Sequence, residues 1–222
     1  VSGDIGIAGY VSMPIVRGDK AWTSILPYGY FEYGNAFMRV DTVGYKTLKI
    51  GYGHLELVGR LSFEGFKAND DLPGIQDRES PILLGLGSFQ KFDWGGVFVN
   101  AFVNASANHG YLAEAIYAGK FNTGPITFYP TAGVEYRSGK YVSHLYGVNA
   151  TEALTSGRPA YTPDGFSLIP VLGLAAEFPI SGNWGMNLQL RQRWLDGAIK
   201  NSPLVDKSTQ TTGYAALVYR FK

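Results

Sequence analysis

In WGMNLQLRQRW, residues 184–194, Trp184, Met186, Leu188, Leu190 and Trp194 share one parity, while Asn187, Gln189, Arg191 and Arg193 share the other. A period of two is a β-strand with one apolar face. Two arginines on the opposite face exclude lipid or a dry core there, because an unpaired charge in such surroundings costs several kcal/mol. Trp184 and Trp194 stand ten residues apart, ~33 Å along an extended chain and ~25 Å once the strand tilts by ~40°. That is the height of the apolar band between the aromatic girdles of a membrane-spanning barrel. The device recurs: Tyr111 and Phe121 bracket YLAEAIYAGKF, and Phe166 and Phe178 bracket FSLIPVLGLAAEF. A soluble sandwich has no use for large aromatics at both ends of one face. The spacing therefore predicts an all-β protein, an antiparallel transmembrane β-barrel occupying residues 1–222 as a single domain.

Other stretches follow the same rule. In HLELVGRLSFE, Leu55, Leu57, Leu61 and Phe63 oppose His54, Glu56, Arg60 and Glu64, and PITFYPTAGVEYR sets Val134 and Tyr136 against Glu135 and Arg137. Pro130 and Pro170 lie inside such runs, where a missing N–H predicts a bulge or a broken ladder. Short turn signals such as FDWGG, NTGP and SGN alternate with longer connections near 14–25, 66–78, 140–163 and 196–208, the asymmetry of an outer-membrane barrel. Strands are expected near 3–13, 26–41, 53–65, 79–91, 96–107, 111–121, 125–138, 165–178, 184–195 and 209–221. That makes about ten; reading RVDTVGYKTLKIGYG, residues 39–53, as an extra hairpin makes twelve. The composition agrees: Gly 29, Tyr 15, Phe 13 and Trp 4 with only 17% charged residues suit a turn-rich β-protein. No apolar run approaches the ~20 residues of a spanning helix. The chain begins at Val1 without methionine, which allows for a targeting segment already removed.

A barrel of about ten strands is only slightly wider than one whose side chains fill it. Glu56, Arg60, Glu135, Arg137, Arg191 and Arg193 are the lumen candidates, carrying both signs and so able to pair across a small, filled interior. A narrow channel is the alternative use of the same residues.

YVSHLYGVNATEALTSGRPAY resembles the Y-G-V…A…S-G-x-x-x-Y segment of the MipA/OmpV family of outer-membrane proteins (MltA-interacting protein-like), on Tyr146, Gly147, Val148, Ala153, Ser156, Gly157 and Tyr161. GNWGMNLQLRQRWL is similar to that family's W-S-x…R-Y-x-x-L strand, and NSPLVDKS to its D-S-P-x-V-D-[KR] loop, through Ser202, Pro203 and Asp206. The order and spacing hold over about 80 residues, and the N-terminal half is looser. Asn201 stands where the family usually has aspartate, and Lys222 follows the phenylalanine on which such chains usually stop.

The resemblance implies a non-enzymatic scaffold that links a lytic transglycosylase to a penicillin-binding murein synthase in peptidoglycan assembly at the Gram-negative outer membrane. OmpV-like relatives imply instead an adhesion or small-ligand barrel. A barrel hydrolase is the third possibility. It would need a histidine among His54, His109 and His144, and Ser143 directly before His144 would point to the opposite face of a strand. Nothing suggests a cofactor, a metal or a catalytic site: the chain has no cysteine and no phosphate-binding loop. Asn69, Asp70, Asp71 and Asp77 are read as a solvated loop rather than a cation site. Lys+Arg 19 against Asp+Glu 18 gives no pull toward nucleic acid.

The chain ends YAALVYRFK. Ala215, Leu217, Tyr219 and Phe221 form one apolar row and Arg220 lies opposite. With Tyr111, Phe121, Trp184 and Trp194 as girdle residues, Phe221 is read as the membrane-level end of the closing strand and the mark recognised by barrel-assembly machinery. Lys222 is read as a cation snorkelling at the bilayer surface, or as an addition to the natural chain.

Overall fold

The computed structural model describes residues 2–106 and 110–221. The readings of His109 as a turn residue and of Lys222 lie outside the described residues. Period-two stretches become β1 (Ser2–Ser12), β2 (Trp22–Tyr33), β3 (Ala36–Arg39), β4 (Thr42–Ile50), β5 (Gly53–Leu61), β6 (Ile82–Phe92) and β7 (Gly95–Asn104). They continue as β8 (Tyr111–Gly119), β9 (Phe121–Thr123), β10 (Ile126–Ser138), β11 (Phe166–Ser181), β12 (Trp184–Trp194) and β13 (Thr209–Phe221). Successive strands pair antiparallel, except that β8 pairs β10 and not β9; β13 pairs β1, and β10 also pairs β11, so the sheet closes on itself.

The closed wall has twelve strands. β9 lies outside this ring, paired with β10 alone, and holds the register that β8 has with β10: Ala118 faces Thr131 and Phe121 faces Phe128. The interruption at Lys120 falls opposite the stretch containing Pro130, which has no N–H to give to a ladder. Pro170, by contrast, stays in register opposite Val134, and the irregularity of β11 sits at Pro179–Ser181.

The expected count of about ten strands is corrected to the alternative of twelve. The stretch 26–41 is not one strand: the chain reverses at Gly34, whose φ of 59° suits glycine, and Tyr33 pairs Ala36. β3 ends after four residues and turns at once into β4. Val40, at that turn, is the one described non-glycine residue with positive φ, 58°.

The short β3 leaves a notch in the wall. β2 pairs with β1 along Trp22–Glu32, but with β3 only from Tyr30 to Tyr33, extended by the Val40 amide donating to Gly29. From Trp22 to Tyr28 its other edge has no ladder partner among the described residues. Ile25, facing outward beside this gap, is 74% exposed. Above the gap Trp22 stacks on Phe63, ring centroids 5.2 Å apart.

The long connections are not plain loops. The 139–165 connection holds α1 (Gly139–Tyr146) and α2 (Ala150–Ser156), and the 195–208 connection holds α3 (Gly197–Lys200). Ser138 caps α1, and Asn149 with Glu152 forms a capping box for α2, which ends on Gly157 in the left-handed region at φ 70°. With the segments around Ile15 and Leu72, these helices bury Val142, Leu145, Ile199 and Leu204. The result is a lid over the long-loop end of the barrel, its apolar core continuous with wall residues such as Leu83, Phe102 and Ile169. The short-turn end carries no such cover. No helix among the described residues is long and apolar enough to cross a membrane; the strands are the spanning elements.

Candidate functional site

Inward-facing strand positions bring charges of both signs together. Arg60 on β5 donates two hydrogen bonds to Glu114 on β8, at 2.6 and 3.0 Å, and Asn100 donates a third to the same carboxylate at 2.8 Å. Arg39 on β3 grips Glu56 on β5 through two bonds of 2.7 Å. Arg137 on β10 donates to Glu64 at 2.6 Å and to Glu135 at 3.0 Å, while Arg193 on β12 donates to the other oxygen of Glu135 at 2.8 Å. The Tyr141 hydroxyl donates to Glu64 at 2.9 Å, so α1 is tied into the same network. Asp4 and Arg220 pair at 2.8 and 2.9 Å across the β1–β13 seam. A wall pinned by pairs between β5 and β8, and between the segment just after β5 and β10, resists ovalisation.

Arg191 is the exception among the six lumen candidates. Its neighbours in the lumen are engaged elsewhere, and it has neither a side-chain hydrogen bond nor an ion pair to a described residue. It lies where two internal cavities meet. The lower, about 270 Å³, is lined by Tyr28, Tyr30, Asn100, Tyr129 and Glu177; the upper, about 160 Å³, by Tyr10, Leu83, Glu135 and Arg193. Six residues line both: Val40, Asp41, Arg60, Gln189, Arg191 and Tyr214. The lumen is therefore braced rather than solidly filled.

The residues quoted for the family motifs converge on one joint in the lid. Tyr146 is buried at the end of α1, and its carbonyl accepts from the Ser202 hydroxyl at 2.6 Å. Val148 and Tyr161 form a two-residue antiparallel bridge, and the Tyr161 hydroxyl donates to the carbonyls of Gly197 and Ala198. The Gly147 carbonyl accepts from Arg78 at 3.0 Å, and that of Pro203 from Arg17 and Arg158, both at 3.2 Å. The Asp206 amide donates to Ile15. Ala153 packs on the lid core and Ser156 accepts from the Arg158 amide. Stretches far apart in the chain are riveted together here.

Sequence reasoning missed Arg78 and Glu152, bonded at 2.8 and 3.0 Å, which join the 62–81 connection to α2. Burial by itself would raise the Glu152 carboxyl. The backbone N–H groups of Gln76 and Asn149, with Arg78, outweigh it and hold the group below its ordinary value. The capping signature N-A-T-E at 149–152 was the available signal. Arg39 and Asp41 were also missed, within the misread hairpin.

Outside the lumen, Tyr111, Phe121, Trp184 and Trp194 are exposed on the outer wall. Phe221 ends β13 opposite Gly3, with its ring 6.3 Å from Phe31. Ser143 and His144 lie in α1, not in a strand, and the His144 ring meets the Glu79 carbonyl at 3.3 Å. His54 pairs with Lys49 at the β4–β5 turn. Asn69 and Asp77 accept from the amides of Asp71 and Ala68, closing turns. Among the described residues no group of three histidine or acidic side chains is placed to hold a metal.

Comparison with known proteins now adds a decisive observation: a family model described as MltA-interacting protein MipA matches residues 5–221. The chain belongs to that family. A curated MipA-family relative, the MltA-interacting protein of Escherichia coli (strain K12), is 24% identical over 94% of this chain and 81% of its own. The putative outer membrane protein YiaT of the same strain is 24% identical over 92% and 85%. The 24 kDa outer membrane protein of Pasteurella multocida (strain Pm70) is 26% identical over 91% and 84%. Among solved structures, a loop-deletion mutant of OmpT from Vibrio cholerae, titled an outer membrane protein, matches at 7% identity over 100% of this chain and 99% of that one. Its TM-score is 0.30, a superposition too loose to inform the fold. This MipA-family protein is a β-barrel of the outer membrane.

Proposed function

We propose that the protein is a non-enzymatic scaffold in murein assembly, holding a lytic transglycosylase and a penicillin-binding murein synthase at the inner surface of the outer membrane. The name of the Escherichia coli relative, an MltA-interacting protein, points to a partner of this kind. The observation that carries the reading is the asymmetry of the two ends. Long connections at one end are consumed in a packed lid with a buried core. The other end is a rim of two-residue turns, which in outer-membrane barrels faces the periplasm, where murein lies. That rim carries Tyr52, 74% exposed, and an aromatic cluster in which Phe92 stacks on Trp94 at 4.9 Å. A rigid barrel with exposed aromatics on one rim is suited to docking, since aromatic residues are enriched at interfaces. The motif residues of the lid then serve to hold the barrel's shape rather than to touch the partner.

In-cell photo-crosslinking tests this. A crosslinker at Tyr52 is expected to capture a murein hydrolase or synthase, and one at Leu154 on α2, 86% exposed, is expected not to. Capture of neither enzyme class from any short-turn position would remove the scaffold reading. A planar-bilayer conductance equal to that of empty lipid is expected, and steady ion conduction would favour the narrow-channel alternative.

A further inference from the structure

The outer groove and the two cavities adjoin one another, each sharing lining residues with the next, and Trp22 at the notch lines both the groove and the upper cavity. A groove of about 680 Å³ runs between the lid and the rim at Met13, Ile15, Phe66 and Arg78. It shares Ser12, Trp22, Phe63, Glu64 and Gln210 with the upper cavity, and the upper cavity meets the lower at Arg191. Beside this route the edge of β2 from Trp22 to Tyr28 has no ladder partner among the described residues. Unpaired backbone at membrane depth is tolerated where it lines a wet cavity, not where it meets lipid tails.

Each lumen carboxylate around the meeting point already has a cation. Glu114 is held by Arg60, and Glu135 by Arg137 and Arg193; Asp41 accepts from the Thr42 hydroxyl at 2.9 Å and lies 3.7 Å from Arg60. Arg191 is left over, with the Gln189 side chain beside it at the waist between the cavities. A guanidinium is built for two parallel bonds to a planar oxyanion. A lone cation held inside a protein without such a partner is costly.

We infer that Arg191 anchors a lumenal binding site for a carboxylate or phosphate group, reached through the groove and notch at Trp22 and Phe63. The group arrives either as a free solute or as the head of a single-chain amphiphile whose tail lies against Ile25 and Leu61. The other lumen arginines do not compete, because each is already paired. This site stands independently of the scaffold reading, which concerns the opposite rim.

The test is calorimetric titration of the purified protein, in uncharged detergent, with acetate, inorganic phosphate and laurate. At least one of these is expected to bind, and R191Q is expected to weaken it by about tenfold to a hundredfold, the worth of a charge-assisted hydrogen bond. Folding of R191Q, read by heat-modifiable migration on a gel, is expected to be intact, because no described partner is lost. R193Q, which breaks a pair with Glu135, is expected to lower stability yet keep the titration. Binding of acetate or phosphate supports a solute source. Binding of laurate alone, lost in a Trp22→Glu variant that charges the notch, supports a membrane source. No binding of any of the three anions, or equal affinity in R191Q and the unaltered protein, would overturn the inference.

Discussion

Replacing Glu114 by leucine isolates the energetics of the braced lumen. Glu114 accepts two bonds from Arg60 and one from Asn100, and the paired side chains are 15% and 4% exposed. The substitution keeps the bulk but strands Arg60, which retains only the Thr42 hydroxyl at 2.9 Å and Asp41 at 3.7 Å. Breaking one side of a buried pair typically costs 3–5 kcal/mol, and two charge-assisted hydrogen bonds at ~1.5–3 kcal/mol each give a similar figure. The adjoining cavities admit water that partly resolvates the guanidinium, so the low end, about 3 kcal/mol, is expected. This corresponds to a shift of roughly a hundredfold in the unfolding equilibrium. Urea titration in lipid vesicles, followed by tryptophan emission and by gel migration, measures it. The double variant Arg60→Met with Glu114→Leu removes both charges and is expected to recover at least half of the loss. A single variant within 1 kcal/mol of the unaltered protein, or a double variant no better than the single, would refute the view that these pairs brace the wall.

Three further outcomes follow from the lid. Glu152 is held below its ordinary value, so its contribution is fully present above the unfolded-state value of about 4.3 and is lost as pH falls through the lower folded value. Hydrogen exchange in α1 and α2 is therefore expected to quicken on acidification below about pH 4, and E152Q should abolish that dependence while weakening the lid at neutral pH. Ser202→Ala, which deprives the buried Tyr146 carbonyl of its donor at 2.6 Å, is expected to cost about 1–2 kcal/mol and to speed proteolysis within 139–165. Gly157→Val places a branched side chain at φ 70° and should destabilise α2 by about 1–2 kcal/mol, also read by proteolysis; an unchanged cleavage rate would contradict the left-handed cap.

What was legible in the sequence was whatever repeats locally. Paired aromatics ten residues apart revealed β8 and β12, and a pair twelve apart revealed β11, because a strand's faces are set by parity alone. The β2–β3 hairpin was obscured because the two-residue turn at Gly34 and Asn35 swaps the inward parity. Tyr30 and Glu32 face in before it, and Phe37 and Arg39 after. A shift in register between Lys46 and Lys49 disturbs the pattern again. One clue was present: a single strand over 26–41 would have put Arg39 on the lipid face, at a cost that demands a turn. The helices of the lid carry a capping box and a terminal glycine, signals that a period of two does not register. The ion pairs were half legible. The inward face of Arg60 could be read, but its partner Glu114, 54 residues away, is chosen by the stagger of a closed sheet, which no local pattern records.

The seam between β1 and β13 gives Asp4 and Arg220 a role in time as well as in space. They are 216 residues apart in sequence, whereas the other neighbouring strands of the wall follow one another along the chain, the longest connection running only from Ser138 to Phe166. Contacts that close so long a stretch of chain come late, since their loop entropy must be met before they return anything. This ion pair thus marks completion: every other hairpin can exist in an open, curled sheet, but Asp4 meets Arg220 only when the last strand has found the first. A probe pair at these two positions would report the moment of closure during insertion, separately from the formation of the individual hairpins.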